Sequence, residues 1–132
     1  MTTFSQLQQA IKSNPQDPAL HYELGNSYLQ SDQTNKAITC YSAALKLSPN
    51  HPQILLQIGN AYTTLGLFAE AASYFQKATR ADPVNAAAHF NLGNALRELG
   101  QPEQAATSYR AALGLVPSDA ETHNNLGNVL RE

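Results

Sequence analysis

The chain has no tryptophan, one cysteine, and only 14% charged residues, eight basic against ten acidic, for a net charge of -2. Each scarcity excludes something. A lone Cys40 rules out an intrachain disulfide and any CxxC metal knuckle, and its ordinary role is that of a small half-buried residue on a helix. The slight negative balance offers no bulk attraction for nucleic acid or for an anionic membrane. No apolar run approaches the roughly 18 to 20 residues of a membrane helix, and the opening MTTFSQLQQAIKSNPQ lacks a basic stretch followed by an apolar one. A cytoplasmic protein is expected. There is no Gly-rich phosphate loop, nucleophile elbow or paired-carboxylate arrangement, so no catalytic residue, cofactor or metal site is expected and the chain reads as non-enzymatic. At 42% hydrophobic residues it still has the makings of one globular domain.

What is abundant is repetition. The glycines of ELGN, QIGN, NLGN and NLGN are Gly25, Gly59, Gly93 and Gly127, a step of 34 residues without gaps. Downstream the same step recurs in Ala37, Ala71 and Ala105; in Tyr41, Phe75 and Tyr109; in Ala44, Ala78 and Ala112; and in Pro49, Pro83 and Pro117. Within a unit, Leu55, Ile58, Gly59 and Tyr62 share one helical face, and Ala71, Phe75 and Ala78 line a second helix. Gly66 supplies a left-handed stop between the two, and Pro83 ends the second. Pro102 suits the first turn of a helix, and Thr3 with Gln6 and Ser118 with Glu121 have capping-box spacing at two others. Each unit is therefore an antiparallel helical hairpin. The small residues let its two axes approach closely while the aromatic rings fill the space beside them.

This pattern resembles the tetratricopeptide repeat, with its Leu-Gly-x2-Tyr, Ala-x3-Phe and Pro elements at a 34-residue period. The departures are mild: His21, Leu55, His89 and His123 stand where the family often has Trp, and Leu96 and Leu130 replace Tyr. The NLGN units are also similar to those of O-linked N-acetylglucosamine transferase repeats. The resemblance implies an all-α, right-handed superhelical solenoid of antiparallel helix pairs. The expected division is an N-terminal capping half-repeat at 1–17, repeats at 18–51, 52–85 and 86–119, and the truncated first helix of a fourth at 120–132. In the cap, Leu7, Ala10 and Pro15 lie one period before Tyr41, Ala44 and Pro49, with Gln6, Gln8, Gln9 and Lys12 free to face water.

The resemblance further implies that the first helix of each unit lines a concave wall. Stacking then aligns Tyr22, Leu56, Phe90 and Asn124 in one column, and Asn26, Asn60, Asn94 and Asn128 in the next. Asparagine costs roughly 0.5 kcal/mol against alanine inside a helix, so four in register need a reason. A primary amide both donates and accepts; a ladder of them can pair with the backbone of an extended peptide, while Tyr22, Leu56 and Phe90 hold its side chains. The competing expectation is that the amides bond a neighbouring repeat, above all Asn91 and Asn125, which sit nearer the packed side. His21, His89 and His123 also fall on the packed side without a carboxylate in their column and read as packing residues, not metal ligands. Some tetratricopeptide domains use Lys and Arg beside Asn to grip chaperone tails; here Tyr22, Leu56, Ala87 and Glu121 stand where those cations belong, so such capture is not expected.

Three functions follow as expectations. The first is a protein–protein interaction module that binds a peptide or partner segment in its concave groove. The alternative is the regulatory or substrate-selecting arm of a larger enzyme, such as a glycosyltransferase, with self-assembly through the unpaired C-terminal helix as a third reading.

Overall fold

The structure, a computed structural model, describes residues 2–131. Among them are eight α-helices and no strand: α1 (Phe4–Ser13), α2 (Pro18–Gln30), α3 (Thr34–Leu47), α4 (Pro52–Thr64), α5 (Phe68–Ala81), α6 (Ala86–Glu98), α7 (Pro102–Leu115) and α8 (Ala120–Leu130). None is long and apolar enough to cross a membrane. Helices α2 with α3, α4 with α5, and α6 with α7 form antiparallel pairs, and each trailing helix also packs on the leading helix of the next pair. Neighbouring leading helices touch as well, α4 with α6 and α6 with α8. The result is an all-α solenoid of stacked helix pairs.

The turns inside the pairs are made alike. Gly66 adopts φ 74° and Gly100 φ 72°, and in the first pair Asp32 takes the same left-handed conformation at φ 61°. Behind each, the next amide reaches back to the carbonyl that opens the last helical turn: Gln33 to Tyr28, Leu67 to Tyr62 and Gln101 to Leu96, at 2.9, 2.9 and 3.0 Å. This is the Schellman closure that satisfies the final carbonyls of a helix. An aspartate tolerates the left-handed region better than most residues because its short carboxylate can bond locally.

The starts of α1, α2, α6 and α8 are capped by short polar side chains. Asp17 accepts from the Ala19 amide at 3.0 Å, and Asn85 accepts from Ala88 at 3.3 Å. Thr3 and Gln6 form the expected reciprocal box. At α8 the expected Ser118–Glu121 box is replaced: Asp119 is the cap, accepting from the Glu121 amide at 3.2 Å and from the Thr122 hydroxyl at 2.7 Å. A carboxylate one residue later offers a stronger acceptor to the same orphan amides and so moves the helix start.

The core runs the length of the solenoid as linked clusters, with Tyr41, Phe75 and Tyr109 buried at 0, 1 and 0% exposure. Each ring lies on the bare backbone of its pair's glycine. A Cβ added at Gly25, Gly59 or Gly93 would sit 2.6, 2.5 or 2.6 Å from the ring of Tyr41, Phe75 or Tyr109, whereas at Gly127 it would meet nothing within 4 Å. Alanine is the better helix former by about 1 kcal/mol, but moving a buried ring costs about 1–3 kcal/mol. Gly59→Ala is therefore expected to destabilise the chain by up to about 2 kcal/mol and Gly127→Ala to stabilise it by about 0.5–1 kcal/mol. Urea unfolding of the two variants checks the opposite signs.

Candidate functional site

The wall built by the leading helices α2, α4, α6 and α8 carries the polar column expected from the sequence. Its amides form a ladder. Gln57 Nε2 donates to Asn26 Oδ1 at 3.3 Å, Asn91 Nδ2 to Asn60 Oδ1 at 3.1 Å, and Asn125 Nδ2 to Asn94 Oδ1 at 3.1 Å, each bond joining one unit to the next. The trailing helices reach the same oxygens: the Tyr41 hydroxyl donates to Asn26 Oδ1 at 2.5 Å and the Tyr109 hydroxyl to Asn94 Oδ1 at 2.6 Å. In the middle pair Phe75 has no hydroxyl to give, and Asn60 Nδ2 instead donates to Gln57 Oε1 at 2.9 Å.

The sequence could not apportion these roles. Asn26, Asn60 and Asn94 are half-buried and their oxygens are engaged within the chain. The side-chain Nδ2 groups of Asn26 and Asn94 have no hydrogen-bond acceptor among the described residues. Asn26 and Asn94 therefore offer N–H donors, whereas Asn91 and Asn125 engage their Nδ2 groups and keep Oδ1 acceptors. Asn128, in the last leading helix, is exposed. Asn91, Asn125 and Gln57 are the inter-unit donors, and their fixed offset of 31 residues from their acceptors is the sequence signal that identifies them.

The apolar column divides. Tyr22 and Phe90 are half-buried and lean on the core rings, with centroids 5.6 Å from Tyr41 and 6.0 Å from Tyr109. Leu56 is only 7% exposed and belongs to the core between α4 and α6. Asn124 continues the column on α8 and is exposed. Two hollows open on this stretch of wall. One of about 250 Å³ is lined by Pro18, Ala19, Tyr22, His51 and Ile54. The other, of about 350 Å³, is lined by Asn26, Leu29, Gln30 and Gln57. Tyr22 and Asn26 stand one turn apart on α2, so the first hollow is apolar and the second is edged with amides.

The histidine column has a structural use that the sequence reading missed in its detail. His21, His89 and His123 each bond through Nε2 to a proline carbonyl six residues earlier, Pro15 at 2.8 Å, Pro83 at 2.9 Å and Pro117 at 2.7 Å. Each ring donates to a carbonyl and pins the connection between units. The recurrent Pro-x5-His spacing carries that information in the sequence. Where Leu55 replaces histidine, the ring's place is taken by a core side chain at 2% exposure.

A family model for the tetratricopeptide repeat matches residues 5–52, 22–86, 56–120 and 90–132. The chain belongs to the tetratricopeptide repeat family. Among solved structures it is similar to MamA, at 19% identity and a TM-score of 0.92 over 97% of this chain and 75% of that one, a likeness of fold alone. It is similar to the first tetratricopeptide domain of Spaghetti (RPAP3) bound to the HSP90 peptide SRMEEVD, at 28% identity and a TM-score of 0.84 over 88% of this chain and 92% of that one. It is also similar to YrrB, described as having an unusual peptide-binding site, at 26% identity and a TM-score of 0.88 over 97% of this chain and 66% of that one. No curated protein matches it in sequence.

Burial holds the Tyr41 phenol well above the ordinary tyrosine value of 10.0, with Tyr22 and Cys40 adding to the effect. Burial also raises Tyr109, and nearby Glu98 adds to the rise while Arg97 opposes it. Below the ordinary value both phenols are neutral whether the chain is folded or not. As pH rises past about 10 the unfolded chain releases protons that the folded chain keeps, so stability falls. Tyr109→Phe is expected to cost about 1 kcal/mol at neutral pH by removing the bond to Asn94. The double variant Tyr41→Phe, Tyr109→Phe should lose less stability than wild type between pH 9 and 11. Urea midpoints across that range measure both effects.

Proposed function

We propose that this chain is a protein-interaction module that takes a peptide segment of a partner along the wall of α2, α4 and α6. The observation that carries this reading is the set of amide N–H groups left without an internal acceptor, on Asn26 and Asn94, beside the rings of Tyr22 and Phe90. Extended backbone presents carbonyl oxygens at regular intervals, which such donors recognise whatever the side chains. The half-exposed rings and the apolar hollow at Tyr22 and Ile54 then select an apolar residue of the ligand. Asn128, exposed on α8, extends the donor column at the end of the wall, whereas Asn60 already donates to Gln57 and Leu56 belongs to the core beneath.

Two of the similar structures are described by the peptides or peptide sites they carry, which supports the same use of the fold here. The ligand differs in charge. The peptide held by the Spaghetti domain is acidic at its end, Glu-Glu-Val-Asp, whereas the leading helices here mix Glu23, Glu98 and Glu121 with Arg97 and Arg131. Tyr22 and Leu56 occupy positions that the chaperone-tail grip gives to cations. The preferred segment is thus uncharged and apolar, and the module binds without chemistry of its own.

Affinity capture with the intact chain as bait, compared with Tyr22→Ala, Phe90→Ala, tests this. The double variant should remain folded and lose at least tenfold in affinity for the captured partner, measured by calorimetry. Unchanged affinity would remove the wall from the account. For Asn60→Ala, lower stability with unchanged affinity would assign that amide to the ladder alone.

A further inference from the structure

The charge of the chain is divided between its two kinds of helix. The trailing helices α1, α3, α5 and α7 hold six of the eight basic residues, Lys12, Lys36, Lys46, Lys77, Arg80 and Arg110, but only two of the ten acidic ones. The remainder holds two basic residues and eight acidic ones, so a net charge of -2 conceals +4 on the trailing helices against -6 elsewhere. All six cations are exposed, and none is in an ion pair; among the described residues the one ion pair joins Arg97 to Glu98 on α6. Lys12, Lys46 and Arg80 recur at the 34-residue step, each in the last turn of its helix. A cation there complements the helix dipole, which explains the column but not its neighbour. Lys77 stands three residues before Arg80, a like-charged pair that α5 by itself disfavours.

These two cations, with Asn50 and Ala81, line a hollow of about 500 Å³ between the end of α5 and the connection from α3 to α4. The Lys77 ammonium sits over the Tyr74 ring, 4.7 Å from its centre, and that ring stacks on Tyr62 at 5.7 Å. The protein thus sets the position of this charge. Asp82, the carboxylate nearest in sequence, is turned to the connection that follows and accepts from the Val84 amide at 3.4 Å. We infer that this hollow docks an acidic segment of a partner protein, which seats one carboxylate between Lys77 and Arg80 and directs others toward Lys46, four residues before Asn50. The lining defines the occupant. Two cations offer donors alone, a carboxylate matches the fork of an arginine, and a neutral segment would leave the like charges unrelieved. An anionic bilayer or a long nucleic acid spreads its charge more widely than these few cations and would also meet the acidic remainder of the chain, whereas a short acidic segment avoids it. The site lies on the trailing helices and is independent of the wall proposed above.

The probe is a labelled octaglutamate peptide, titrated into the full chain by fluorescence anisotropy at about 50 mM and about 200 mM salt. Saturable binding is expected at the lower salt, weaker at the higher, with none by an octaserine peptide. Lys77→Glu, Arg80→Glu should weaken it at least tenfold. Lys36→Glu, Arg110→Glu makes the same change in net charge away from the hollow and should weaken it less than threefold. Lys77→Ala, Arg80→Ala, its fold checked by circular dichroism, should repeat the loss and serves in place of the reversal if that variant does not fold. No saturable binding would overturn the inference, and so would equal losses in the two reversal pairs, which would reduce the effect to net charge. Tighter binding of a decauridylate RNA or of phosphatidylserine vesicles, lost in the Lys77, Arg80 variants, would overturn it as well by giving the face to another class of partner.

Discussion

A side-chain ring resting on a glycine backbone is the contact on which the rest of this molecule depends. With no Cβ at Gly25, Gly59 or Gly93, the leading helix lets Tyr41, Phe75 or Tyr109 press into the space where a methyl group would stand. That fixes how closely the two axes of each pair approach. The alanines above and below the ring are buried for the same reason. Once that distance is set, the opposite face of the ring meets the next leading helix, and the pairs stack at a constant offset. The columns of like residues on the inner wall are a consequence of this repetition at 34 residues.

The amide ladder is a second, weaker constraint laid over the first. Gln57, Asn91 and Asn125 each bridge to the asparagine of the preceding unit, and two tyrosine hydroxyls tie the same oxygens to the trailing helices. These bonds hold orientation more than they add stability, since each is worth about 1 kcal/mol net. Their asymmetry matters for recognition. The oxygens of Asn26 and Asn94 are consumed while their Nδ2 groups have no internal acceptor among the described residues, beside the half-buried rings of Tyr22 and Phe90.

The helix count, the pairing, and the residues of the core were legible in the sequence because a fixed period makes every position report three or four times. Gly66 turns left-handed as the breaker pattern suggests, and Thr3 caps as its spacing with Gln6 suggests. The α8 cap was misplaced because Ser118 and Asp119 both satisfy a capping preference, and the carboxylate one residue later is the stronger acceptor. Leu56 looked like part of the inner surface because a one-residue difference on a helical wheel, about 100°, does not separate a groove residue from one wedged between adjacent leading helices. The division of the asparagines into bridging donors and bridged acceptors was hidden for a related reason, since it depends on the offset between units. Repetition in sequence reveals that units stack but not by how much each is rotated on its neighbour.

The most direct test of the central contact is the set of nuclear Overhauser effects between glycine α protons and aromatic ring protons in the folded chain, with the accompanying ring-current shifts. The account predicts strong effects from Gly25 to Tyr41, from Gly59 to Phe75 and from Gly93 to Tyr109, with upfield-shifted α protons at all three, and an ordinary helical shift at Gly127. Ring protons silent toward these glycines, or a Gly93 shift indistinguishable from that of Gly127, would contradict it.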